Sequence, residues 1–125
     1  MMKIKVSPEF GRGLYATRKI YAGELIEACE ILTLSPADTV VVNTTDLKWY
    51  TFVFDEHRDC LVLGNGEIFN HSDDANVRYR LMPHKDRFMM VFISDKDIEE
   101  GEQLFIDYTA DTKVDTSGYV GKNLI

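Results

Sequence analysis

The chain has 125 residues and a mass of 14.4 kDa, with 45% apolar positions, enough for one compact domain spanning 1–125 with its own core and too few for a second. A formal net charge of −7 with no basic footprint excludes phosphate-backbone recognition, so no direct nucleic-acid partner is expected. A basic partner is the natural complement, although the same charge also serves solubility. No apolar run approaches the ~18 consecutive residues of a membrane span, so no membrane partner is expected. The opening Met1-Met2-Lys3-Ile4-Lys5-Val6 lacks a signal-peptide core, which implies the cytosol, or a compartment continuous with it such as a nucleus.

In chain order the pattern is mainly β. Ile4 and Val6 alternate with lysines. Gly11-Arg12-Gly13-Leu14-Tyr15-Ala16 fits the dinucleotide pattern GxGxxG/A, with Glu27 or Glu30 near the place of a ribose-binding acid. That fold requires a helix starting at the glycines. Here Ala22-Gly23 follow too soon, Leu14-Tyr15-Ala16 continues as a strand, and no series of βα units is present. A glycine turn between two strands is the plain alternative. Glu24 to Leu34 is a long extended run. Thr45 to Phe54 is the best helical candidate, with Thr44, Thr45 or Asp46 as cap, although Trp49, Tyr50, Phe52 and Phe54 leave a strand open. Cys60 to Leu63 is short and apolar.

Phe69-Asn70-His71-Ser72, followed by Asn76, reads locally as a polar turn. Val77, Tyr79 and Leu81 alternate with Arg78 and Arg80, which predicts a strand with one face in the core and a basic face toward solvent or acidic neighbours. Phe88 to Ile93 is nearly continuous apolar sequence. Gly101-Glu102-Gln103-Leu104-Phe105-Ile106-Asp107-Tyr108 reads as a turn and an edge strand, and the tail from Thr109 to Ile125 is more polar. Cys29 and Cys60 form no CxxC pair and are expected to be small buried apolar residues. His71, Asp73 and Asp74 lack regular ligand spacing with His57 and His84, so no metal site is expected. Ser72 beside His71 makes no triad, because sequence neighbours rarely face each other as nucleophile and base.

Three of these segments, in this order and spacing, resemble the SET domain of protein lysine methyltransferases. They are Gly11 to Ala16, then Phe69 to Asn76, which is similar to NHSxxPN with Ala75 in place of proline, and Gly101 to Tyr108, which is similar to GEELxxDY with Gln103 in place of a second acid. Glu67 departs from the arginine that relatives commonly carry just before the asparagine segment. The resemblance implies a mainly β fold of several short curved sheets, β-clip-like, with a knot-like C-terminal threading that brings the Asn70 and Tyr108 segments together. It implies S-adenosylmethionine as cofactor, S-adenosylhomocysteine as product, and no metal. Arg12, Gly13, Leu14 and Tyr15 would hold the cofactor, with Asn70 reading its amino-acid end or its ribose and His71 its adenine through the backbone.

Tyr108 would be the catalytic phenol. Methyl transfer from a sulfonium to an amine is a direct displacement, so alignment is the main task. A free phenol titrates near ~10 and is a poor base at neutral pH, so orientation and electrostatic stabilisation of the methyl are the roles implied for Tyr108. Desolvation and the nearby sulfonium would help the lysine lose its proton. The lysine channel would comprise Tyr50, Ile106 and Tyr108, with a core aromatic as the equal alternative for Tyr50. Isoleucine at 106, where many relatives have Phe or Tyr, offers no hydroxyl and favours multiple methylation.

The layout is similar to the minimal SET proteins of a large algal virus and of some bacteria. That likeness implies a homodimer and a tail, 109–125, that closes the site, with Tyr119 as candidate cover for the adenine. The expected substrate is a basic, lysine-containing peptide or protein, foremost a histone H3 tail. The alternatives are a non-histone substrate such as a ribosomal protein, and a non-catalytic peptide-binding module. Substrate choice lies in groove contacts that these motifs do not encode.

Overall fold

The computed structural model describes residues 1–110, so Tyr119 and the tail from 111 onward lie outside the described residues. The described chain forms two compact units, one of Met1–Ala28, Ile68–Arg80 and 91–110, the other of Cys29–Glu67 and Leu81–Met90. The fold is mainly β, as expected. Among the described residues no helix is long and apolar enough to cross a membrane.

In the first unit, β1 (Met2–Ser7) and β2 (Gly11–Ala16) form an antiparallel hairpin. Its turn needs Gly11, whose φ of 66° is a left-handed conformation that side chains disfavour. The sheet has the order β1-β2-β9-β6, where β6 is Asn70–His71 and β9 is Gln103–Ile106. β9 pairs antiparallel with β2 through Leu14↔Leu104 and Tyr15↔Gln103, and parallel with β6 through Asn70↔Phe105 and His71↔Ile106. Leu14, Ile20, Ile98, Leu104 and Ile106 are fully buried. Phe92 stacks on Phe69 at 4.6 Å and lies 6.0 Å from Tyr79, so the segment that enters β6 is anchored by aromatic area.

A five-stranded sheet has the order β4-β5-β3-β8-β7, comprising β3 (Leu25–Thr33), β4 (Thr51–Val53), β5 (Asp59–Val62), β7 (Val77–His84) and β8 (Arg87–Ser94). The alternation in β7 is realised: Val77, Tyr79 and Leu81 are buried, while Arg78 reaches Asp95 at 3.0 Å. In the second unit Cys29 and Cys60 are buried, as expected, and burial pushes the Cys60 thiol up to about 12.

The segment expected to be helical divides differently. A short 3-10 helix covers Asp46–Tyr50, capped by Thr45, whose hydroxyl accepts from the Leu47 N–H; the chain then becomes β4. Thr51, Phe52 and Val53 favour a pleated surface, and β5 supplies their partner through Phe52↔Cys60, so the helix stops where strand pairing becomes available. An unexpected helix, α1, covers Pro36–Val42. Its signal was legible in Ser35-Pro36-Ala37-Asp38: Ser35 Oγ accepts from the Asp38 N–H, and proline suits the first helical position. Neither short helix buries a residue.

Glu67 ends a short 3-10 turn, Gly64–Glu67, and its Oε1 accepts the Val62 N–H at 2.7 Å. Burial raises its carboxyl to about 7 in spite of that hydrogen bond, which acts to lower it. An acid raised on folding binds its proton more tightly in the native state, so stability is greatest below the unfolded value near ~4.3 and falls as pH rises toward about 7. Between pH 5 and 8, urea titrations should show wild type losing about 1 kcal/mol more than Glu67→Gln, a figure reduced for partial solvent contact. Equal losses would remove Glu67 from the pH dependence.

Candidate active site

The three sequence motifs converge in the first unit because each lies on or beside β9. β2 carries Arg12, Gly13, Leu14 and Tyr15; β6 is Asn70 and His71; β9 leads directly into Asp107 and Tyr108. Leu14 is wholly buried, so its part is to hold β2 against the core. Arg12 offers its backbone carbonyl, which accepts from Asn70 Nδ2 at 2.7 Å. The same amide nitrogen donates to Gln103 Oε1 at 2.8 Å, and Gln103 Nε2 reaches the Tyr15 hydroxyl at 3.1 Å.

Gly13 has a role different from that of Gly11. Its φ is ordinary, but a Cβ there would overlap Gln103 Oε1 and lie 2.9 Å from Asn70 Nδ2. A side chain at 13 would have to push aside the ends of the Asn70 and Gln103 carboxamides, which fill the space that the glycine leaves.

Tyr108 follows β9, is about half exposed (55%), and is fixed at both ends. Its N–H donates to His71 Nδ1 at 2.9 Å and its hydroxyl donates to the Phe69 carbonyl at 2.6 Å. The two rings lie 5.0 Å apart. Because His71 Nδ1 accepts from a backbone N–H, the ring proton is on Nε2, which faces Asp73 Oδ1 at 2.9 Å. The reading of Tyr108 as a packed strand residue is thereby replaced by an exposed, hydrogen-bonded phenol.

Two residues missed in the sequence support this arrangement. The buried Tyr79 hydroxyl donates to the Asp107 carbonyl at 2.9 Å, and desolvation, with Asp107 beside it, pushes the phenol up to about 12. The alternation of β7 marked Tyr79 as inward-facing, but nothing local marked its partner. Gln103 was noted only as a departure from the family pattern. Asp107 Oδ1 accepts from both the Thr109 hydroxyl and the Thr109 N–H, which hold its carboxyl below the usual range.

Of the expected channel residues, Ile106 is fully buried. Tyr50 is 43% exposed, which corrects the core-aromatic alternative, and it belongs to the second unit. His71, Asp73 and Asp107 each offer a potential metal ligand, with the three atoms within 4.8 Å of one another. The sequence had drawn attention to Asp74, which instead pairs with Lys96 at 3.2 Å. Both nitrogens of His71 are already engaged, so a cation at the ring would have to displace the Tyr108 N–H or Asp73.

The family model for the SET domain matches residues 11–109, a span that includes all three motifs. The chain belongs to the SET domain family of protein-lysine methyltransferases. A Schizosaccharomyces pombe protein, the histone-lysine N-methyltransferase specific for H3 lysine-37, is 29% identical over 108 residues, covering 86% of this chain and 72% of that protein. Among solved structures, a Plasmodium falciparum protein provisionally assigned as a histone methyltransferase aligns with a TM-score of 0.71 at 22% identity, covering 88% of this chain and 94% of that one. A structure of the Chaetomium thermophilum Polycomb Repressive Complex 2 bound to the inhibitor GSK126 gives 0.73 at 23%, covering 87% of this chain and 15% of the other. The ctPRC2 complex, in an autoinhibited conformation bound to S-adenosylmethionine, gives 0.72 at 24%, covering 86% and 15%. These structural likenesses establish the fold.

Asn76 ties the site to the sheet. Its Nδ2 donates to the Gln103 carbonyl at 2.9 Å and its Oδ1 accepts the Phe105 N–H at 2.8 Å, replacing a strand partner for β9. Asn76→Ala should therefore destabilise the protein by about 2–3 kcal/mol in urea titrations, since both β9 groups would be left unpaired in a buried setting. A loss below about 0.5 kcal/mol would mean that water or a rearranged strand replaces the amide.

Proposed function

We propose that this protein transfers a methyl group from S-adenosylmethionine to the side-chain amine of a lysine in a basic protein, with the histone H3 tail as first candidate substrate. The observation that carries the proposal is the meeting of Gly13, Asn70 and the Tyr108 hydroxyl around one strand, in a chain that matches the SET family model over 11–109. The net charge of −7 suits a cationic partner. The histone-specific relative favours a histone over other basic proteins.

The donor set fits S-adenosylmethionine. Asn70 Nδ2 is committed to the Arg12 carbonyl and to Gln103, so Oδ1 is the group that Asn70 offers a ligand, an acceptor suited to an ammonium. Arg12, Gly13, Leu14 and Tyr15 supply the adjoining backbone, and the His71 backbone is assigned to the adenine. The cofactor, when bound, supplies a methyl on a positively charged sulfur.

Tyr108 is assigned the alignment of that methyl with the lysine nitrogen. Its hydroxyl proton is given to the Phe69 carbonyl, so the oxygen presents lone pairs and acts as an acceptor. Two oxygens 2.6 Å apart make a region of partial negative charge, which favours a cationic methyl in flight through weak CH···O contacts and electrostatic stabilisation. The phenol retains its proton throughout, so the lysine loses its own to solvent before transfer. Ile106 carries no hydroxyl that would occupy space needed by a second methyl, which favours multiple methylation. A homodimer is the assembly proposed for the chain.

The test is transfer of label from radiolabelled S-adenosylmethionine to core histones and, in parallel, to a whole-cell protein extract. Label in H3 supports the full proposal, whereas label only in another extract protein keeps the chemistry and changes the substrate. No transfer by a protein that binds the cofactor would favour a non-catalytic module. Tyr108→Phe should lower turnover by ~10²-fold or more while leaving cofactor affinity nearly unchanged, because the lost hydroxyl acts in the transition state. Asn70→Ala should weaken cofactor binding itself. Full activity of Tyr108→Phe in initial-rate assays would overturn the assignment of roles.

A further inference from the structure

The hydrogen bonds around Gly13 have only one consistent direction. The Arg12 carbonyl can only accept, so the Asn70 atom 2.7 Å from it must be the amide nitrogen. That nitrogen has a second hydrogen, which it donates to Gln103, so the facing Gln103 atom must be its oxygen. The other end of Gln103 is then an NH₂ group, and the Tyr15 hydroxyl 3.1 Å away must accept from it. A backbone carbonyl thus fixes two carboxamide orientations and one phenol in sequence. At its ends the chain offers an acceptor, Asn70 Oδ1, and a donor, the Tyr15 O–H, whose proton is directed away from Gln103.

Glutamate at 103 would not give this polarity. An ionised carboxylate only accepts, so it would keep the bond from Asn70 but take the Tyr15 proton, and the phenol would no longer donate outward. It would also add a negative charge beside a ligand carboxylate. Lys5 Nζ lies over the Tyr15 ring, 4.8 Å from its centre, and places a positive charge beside the phenol.

We propose that Gln103 is a positioning residue that sets the polarity of this chain, so that Asn70 presents an acceptor to the ammonium and Tyr15 a donor to the carboxylate of an α-amino-acid moiety. The proposal rests on the methyltransferase reading above, because that moiety is the methionine end of the cofactor. It assigns a reason for a carboxamide at 103: a side chain that takes the Asn70 proton and gives one to the Tyr15 hydroxyl must both accept and donate.

The test is calorimetric titration of wild type, Gln103→Glu, Gln103→Leu, Tyr15→Phe and the Gln103→Glu/Tyr15→Phe double variant with S-adenosylmethionine and with its decarboxylated analogue, from pH 5 to 8.5, with thermal melts to confirm folding. The charged or titratable neighbours of position 103 are Lys3 and Lys5 on β1, Arg12 and Tyr15 on β2, His71 on β6 and Glu102 beside it in the chain. All are common to wild type and variant, so the ratio of their affinities isolates residue 103. Gln103→Glu should bind S-adenosylmethionine about 10-fold more weakly at pH 8.5, with the deficit shrinking toward pH 5, where a protonated glutamate regains a donor. The deficit should fall at least threefold in the Tyr15→Phe background and with the decarboxylated ligand. Gln103→Leu, which lacks both donor and acceptor, should lose affinity without that pH dependence.

Failure of folded wild type to bind S-adenosylmethionine would overturn the methyltransferase reading and this inference with it. Tight wild-type binding, with a Gln103→Glu deficit that is absent, independent of pH, or unchanged by Tyr15→Phe, would overturn the inference alone.

Discussion

β9 is four residues long, and both of its edges are taken by strands that carry the other two motifs. Antiparallel pairing with β2 could be reached by many chain paths, but the parallel pairing with β6 cannot be made by a hairpin and needs a long excursion between Asn70 and Gln103. Two matched residues are weak support for such a connection. The ladder is therefore extended by other groups: the Ser72 N–H reaches the Ile106 carbonyl, and the Asn76 amide takes the Gln103 carbonyl and the Phe105 N–H. Buried Leu104 and Ile106 add apolar area on the order of 1.5–3 kcal/mol each. Everything proposed for the site depends on this strand staying between its two neighbours.

That dependence explains what could be read from the sequence. The alternation in Val77-Arg78-Tyr79-Arg80-Leu81 and the apolar run around Phe92 are local patterns, and each became the strand expected. The motif residues were legible as a set through family likeness, because their chemistry requires them to meet. Partner choice was not legible. Gly13 looked like a glycine for a ligand, whereas its missing Cβ first accommodates Gln103 and Asn70. Tyr79 and Asp107 are 28 positions apart, and no local rule connects them. The helix at Pro36–Val42 was overlooked for a simpler reason: its start rests on a serine cap and a proline read together, and its face buries nothing that would show as an apolar pattern.

The 36–53 segment shows the opposite balance. Its short helices bury nothing, and Val40, Val41, Leu47, Trp49, Tyr50 and Val53 stand in solvent. Caps at Ser35 and Thr45, with the Thr39 hydroxyl accepting the Asp59 N–H and Asn43 Nδ2 donating to the Asp59 carboxylate, hold these turns in place of apolar burial. Capping sets the two helices, whereas pairing with β5 sets β4, just as pairing with β2 and β6 sets β9, which lies between two strands and not at the sheet edge that its sequence suggested.

Tyr108 sits at the point where regular structure ends, and this accounts for how a half-exposed residue is held in one orientation. β9 stops at Ile106, so Asp107 and Tyr108 lie past the end of the strand. The Tyr79 hydroxyl takes the Asp107 carbonyl, His71 takes the Tyr108 N–H, and the Phe69 carbonyl takes the phenol proton. Each of these groups comes from a strand or motif already fixed by the core. Most of the side chain's rotational freedom is consequently lost on folding rather than on ligand binding, the condition under which a single hydroxyl can contribute to alignment in a transition state. A tyrosine at the same place without the His71 and Phe69 contacts would be just as exposed, but its hydroxyl would have to be ordered anew in every turnover.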